Sequence, residues 1–142
     1  MIDGTQNNRD DTYPSELEVY SRNGLKALTA LCGGREAAAG WRKNPKTGEN
    51  LHWETEFGIK IALIHSEISE AVEAFRKNKM DDHLSHRKGV EVEFADAIIR
   101  ICSLAQWMNL DLAGAVMEKL EYNLKRPDHK LENRAKEGGK SV

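Results

Sequence analysis

Apolar residues recur every three or four positions along two stretches of this chain, and each stretch also carries two acids three residues apart. In the first, from about Trp53 to Lys77, Ile61, Ile64, Ile68, Val72 and Phe75 follow a helix face, with Glu67 and Glu70 set among them. In the second, from about Val90 to Met108, apolar side chains cover most of the helical circumference. Glu93, Asp96, Arg100 and Ser103 are confined there to about 80° of the wheel, so this helix should be largely buried. Spacing of i, i+3 projects both acids of a pair from one face. Glu67 falls inside the apolar arc between Leu63 and Ala74 on one side and Ala71 on the other, Glu70 sits at its edge, and Glu73 turns to the polar side. An ionised carboxylate on a core-facing stripe is costly unless it is paired or bound to a metal. Two such helices packed together would converge four acids, and a hard cation would neutralise them.

Any one of these acids alone is more simply a surface charge or an ion-pair partner. Arg100, four residues after Asp96, could pair with it. Four acids in two matched pairs on apolar faces favour a site instead. The donor set points to Mg²⁺, with Mn²⁺ as a substitute, because Zn²⁺ usually draws His or Cys.

The chain's 142 residues suit one domain with a core of its own and are too few for two ordinary ones. A helical segment is expected from near Pro14, ended by Gly33 and Gly34, and REAAAGW could add a short helical piece. The stretch RKNPKTGEN reads as a long loop, and NKMDDHLSHRKG as polar and turn-like. A fourth helix starts near Asp111, as N-cap, and stops before Pro127. The expected organisation is a flexible N-terminal tail (1–12), a single all-α domain (13–128) and a charged C-terminal tail (129–142), with four to five helices in a bundle. Nothing reads convincingly as a strand.

A net charge of −2 without a block of Lys or Arg argues against a nucleic-acid polymer or an anionic membrane as partner. No apolar run approaches the roughly 20 residues of a bilayer span, and the first residues lack a signal peptide's apolar stretch. Cys32 and Cys102 are isolated and read as inert small apolar residues, with the reduced cytoplasm the simplest home.

On the fourth helix, Lys119, Asn123 and Arg126 share a face at i, i+4 and i+7. Beside a metal cluster that stripe could hold phosphate oxygens; alone it is equally a solvated basic face near a helix C-terminus. Arg76 and Lys77 carry the same two readings. Asp81 and Asp82 are expected to cap a turn rather than add ligands, and His65, His83, His86 and His129 show no ligand spacing with the acids. Trp41, His52 and Trp53 could stack on a base, though packing is the commoner use of such aromatics. Glycine-rich phosphate loops are missing from the sequence, so nucleotide binding would depend on metal.

The order ExxE (Glu67, Glu70), a spacer, ExxD (Glu93, Asp96), then KxxxN (Lys119, Asn123) resembles the MazG-like all-α nucleoside triphosphate pyrophosphohydrolases, most closely their phage-type branch. The resemblance covers roughly residues 50 to 140. It implies Mg²⁺-dependent cleavage of an NTP or dNTP between the α and β phosphates to a monophosphate and pyrophosphate, in a homo-oligomer (dimer or tetramer) whose pockets are often completed by a neighbour. It further implies that Glu67, Glu70, Glu93 and Asp96 hold metal, that Lys119 and Asn123 contact phosphates or sugar, and that Arg126 assists. Glu67 or Glu70 would activate the water, and dGTP is the first substrate to try. Three rivals stand beside this reading. They are a di-iron carboxylate bundle, which normally uses Glu-x-x-His pairs whereas the fourth positions here are Glu70 and Asp96, a non-catalytic helical interaction module, and a related phosphohydrolase acting on phosphoribosyl-ATP or dUTP.

Overall fold

A computed structural model describes residues 15–136 and 138. The expected 1–12 tail, Pro14 and the end of the C-terminal tail lie outside the described residues. Among those described, the chain is all-α and contains five α-helices: α1 (Glu16–Ala38), α2 (Trp53–Arg76), α3 (Gly89–Trp107), α4 (Leu112–Lys125) and a short α5 (Leu131–Arg134). A 3-10 turn, Pro127–His129, precedes α5. Only isolated bridges, Lys43–Asn50 and Met80–Lys88, have strand-like pairing there. No described helix is long and apolar enough to cross a membrane.

The helix ends follow local chemistry. Ser15 and Glu18 form a reciprocal capping box at the start of α1, and Asp111 accepts a hydrogen bond from the Gly114 amide to start α4. Helices α1, α2 and α3 all stop in the same way. The residue after each cap is left-handed (Gly40, Asn78, Asn109), and paired amide bonds return to the last turn: Gly40 to Ala37 and Trp41 to Glu36, Asn78 to Phe75 and Lys79 to Ala74, Asn109 to Gln106 and Leu110 to Ala105.

Gly33 and Gly34, expected to end α1, lie inside it. The reason at Gly33 is a close approach to α3: a Cβ there would sit 2.7 Å from the Cβ of Gln106. Arg42, in the following loop, then ties α1 to α3. Its guanidinium donates to the carbonyls of Gly33 and Ser103 and to Gln106 Oε1, contacts Glu36, and lies over the Trp107 ring. Lys60 of α2 reaches Glu36 from the other side.

Helices α2 and α3 pack antiparallel, with Gly89 against Ala74 at one end and Glu67 beside Arg100 further along. Small residues make this approach possible: Ala71, Ala74, Ala97 and Gly89 are buried. Helix α1 covers another side of α3, and α4 packs on α1. The larger apolar residues behave differently. The stripe on α2 expected to face a core instead stands largely in the open, with Ile68 46%, Val72 64% and Phe75 78% exposed. Nor is α3 buried all round. Phe94, Ile98, Ile99 and Ile101 are exposed because α2 and α1 cover only part of its circumference.

Candidate metal centre

The site is built between α2 and α3. One carboxylate oxygen from each of Glu67, Glu93 and Asp96 falls within 4.8 Å of the other two. Glu67 is buried, as its place in the apolar arc predicts, while Glu93 and Asp96 are half-buried. Thus three of the four predicted ligands converge. The fourth, Glu70, is exposed and accepts a 2.9 Å hydrogen bond from Ser66 Oγ. It still faces the same region, lining with Glu93 a cavity of about 170 Å³. Glu73, Asp81 and Asp82 share that lining with Lys79, so carboxylates dominate it.

Electrostatics record the crowding. Burial pushes the Glu93 carboxyl above its ordinary value, and the negative charges of Glu70, Glu67 and Asp96 push it further. Asp96 is raised by burial, then by Glu67, Asp81 and Glu70, with Arg100 opposing. A folded-state pKa raised above the unfolded one means that the folded chain binds the extra proton. Stability from these groups is therefore fully present below the unfolded value and is lost as pH rises through the raised one. In a chelator, the melting temperature of the wild-type chain should fall relative to that of Asp96→Asn as pH climbs above the ordinary carboxylate range. Parallel pH profiles for the two proteins would contradict this. The lowered groups, Glu73, Asp81, Glu121 and Asp128, act below that range and in the opposite direction.

Arg100 does not pair with Asp96 along its own helix. It crosses to α2, where Nε donates to Glu67 Oε1 at 2.6 Å. Spacing within α3 carried no signal of this cross-helix bond. Asp81 caps its turn as expected, accepting from the His83 and Leu84 amides. The bonds Met80–Lys88 and Gly89 N–H to Lys79 carbonyl close that loop, which is how Asp81 comes to act on Asp96. Arg76 and Lys77 are both engaged by Glu73.

Helix α4, which carries the predicted cationic stripe, packs mainly on α1 rather than on the two helices that hold the acids. Lys119 lies 4.6 Å from the centroid of the Tyr122 ring. Arg126 is held in a two-point ion pair by Asp128. Asn123 keeps a buried side-chain oxygen without a hydrogen-bond partner. Of the aromatics, Trp41 is exposed and Trp53 half-buried.

Three buried or half-buried carboxylates with one guanidinium leave excess negative charge in a low-dielectric spot. Oxygen donors alone, without His or Cys, fit a hard divalent cation. Compared with protein families, with curated proteins and with solved structures, the chain matches none.

Proposed function

We propose that this chain is a Mg²⁺-dependent nucleoside triphosphate pyrophosphohydrolase that cleaves an NTP or dNTP to the monophosphate and pyrophosphate. The observation that carries the reading is the convergence of Glu67, Glu93 and Asp96 from two helices, with both α3 acids held above their ordinary pKa. Its second support is the resemblance of the ExxE, ExxD and KxxxN order to the MazG-like enzymes.

In this reading Glu67, Glu93 and Asp96 hold the metal, and Glu70 joins them or faces the water. When bound, Mg²⁺ would neutralise phosphate charge and acidify a coordinated water. Glu70 is the better-placed proton acceptor of the first pair. It reaches solvent and is oriented by Ser66, whereas Glu67 is buried and engaged by Arg100. Lys119 and Asn123, with Arg126 assisting once it leaves Asp128, supply phosphate or sugar contacts.

Those α4 residues would reach the acids from a neighbouring copy, in a homo-oligomer (dimer or tetramer). The exposed apolar stripe on α2 and the exposed side of α3 support such an assembly. Monomeric proteins seldom leave a contiguous face of this kind uncovered.

The test is a panel of NTPs and dNTPs with Mg²⁺, dGTP first and dUTP and phosphoribosyl-ATP included, with products resolved as pyrophosphate or phosphate. Monophosphate and pyrophosphate in equal amounts are expected, and a chelator should stop their release. Product consisting solely of inorganic phosphate, or iron-dependent oxidase activity without pyrophosphate, would overturn the assignment.

A further inference from the structure

Among the described ion pairs, the one that touches the acidic triad is Arg100–Glu67, and it is lopsided. The Glu67 side chain is 9% exposed, that of Arg100 40%. A carboxylate buried to that degree is costly to the fold without a partner at hand. Arg100, anchored on α3, reaches it from the solvent side with much of its length already in water. The guanidinium can therefore withdraw with little further rearrangement, while Glu67 cannot follow. Its Nε lies 2.6 Å from Glu67 Oε1, in the residue that must supply a donor if a cation sits among Glu67, Glu93 and Asp96. A guanidinium and a divalent ion on the same carboxylate would repel each other at close range in a medium of low dielectric.

Resting on the metal-centre reading above, we propose that Arg100 is an exchangeable counter-ion: it neutralises Glu67 while no cation is bound and yields that carboxylate when a divalent ion enters. Arg100 is thus a positioning residue for the site. It keeps the metal-free fold from carrying a bare buried charge. It also sets a threshold that a divalent ion passes and a monovalent one, with half the charge, does not. The same exchange leaves a freed guanidinium on α3, one turn beyond Asp96.

The test compares wild type, Arg100→Gln and Arg100→Lys by Mn²⁺ titration, read calorimetrically or by electron paramagnetic resonance, and by melting in chelator and in saturating Mn²⁺. Removing the competitor should tighten Mn²⁺ binding in Arg100→Gln by about tenfold, within the usual range of coupling between sites. Its melting temperature should drop in chelator and return to the wild-type value in saturating Mn²⁺. Arg100→Lys, which keeps a charge but loses the planar fork, should fall between the two. It carries the comparison if Arg100→Gln folds poorly. Unchanged or weaker Mn²⁺ affinity across the series, or a melting deficit that saturating Mn²⁺ leaves intact, makes Arg100 a structural strut and overturns the proposal. Failure of the underlying reading looks different: wild type takes up no Mn²⁺, or Asp96→Asn takes up as much as wild type.

Discussion

Asp96→Asn should abolish hydrolysis and, in the absence of metal, stabilise the protein. These opposite effects come from one carboxylate. Asparagine retains the size and one acceptor oxygen but removes the charge that burial, Glu67, Asp81 and Glu70 all disfavour. In chelator the substitution relieves desolvation and like-charge repulsion, so the melting temperature rises. With substrate and Mg²⁺ the same change removes a charged ligand from a three-ligand cluster. A loss in kcat/KM of about 10³ or more is expected, equivalent to roughly 4 kcal/mol of barrier at about 1.4 kcal/mol per tenfold. Glu70→Ala should be as damaging if Glu70 is the proton acceptor, but with a smaller gain in metal-free stability, because Glu70 is itself exposed and only its repulsion of Glu93 and Asp96 is relieved. Steady-state kinetics, circular dichroism and melting curves in chelator read all three quantities. Full activity in either variant would sink the proposed site, and a destabilised metal-free Asp96→Asn would show that the aspartate serves mainly the fold.

How far the sequence revealed this arrangement depends on the range of the interaction. Bounds of α2, α3 and α4 were legible because apolar periodicity and the Asp111 cap act within a few residues. The burial of Glu67 was legible too, since the helical wheel places it among Ala71, Ala74 and Leu63. Gly33 misled because a glycine that ends a helix and one that lets a second helix approach look identical until Gln106 is in view. Arg100 misled for the same reason: the i, i+4 rule sees Asp96, whereas Glu67 comes from a helix 33 positions away in sequence. Periodicity was silent on a larger point. It shows that Ile61, Ile64, Ile68, Val72 and Phe75 share a face, but not that small residues elsewhere on α2 make the contact with α3.

That displaced stripe gives the second large effect, expected for Val72→Glu. In an isolated chain Val72 is 64% exposed, and exchanging an exposed residue there should alter stability by no more than about 0.5 kcal/mol. If the stripe packs against a second copy, the outcome is different. Full burial of a Val, Ile or Phe side chain contributes roughly 1.5–3 kcal/mol, and Ile68 and Phe75 lie on the same face as Val72. In an interface with twofold symmetry each substitution appears twice, so Val72→Glu buries two carboxylates where two apolar side chains met. Wild type should therefore show a solution mass at least twice 16.0 kDa and a melting temperature that rises with protein concentration. Val72→Glu should shift the mass to that of one chain and lower the melting temperature by ten degrees or so. It should also lose hydrolysis, although Val72 is no part of the acidic cluster, because α4 of the neighbour would no longer face the acids. A wild-type protein that sediments as a single chain at all concentrations would remove the assembly and that source of phosphate contacts. Assembly lost with hydrolysis intact would place every reacting group in one chain, with Lys119 and Asn123 outside the site.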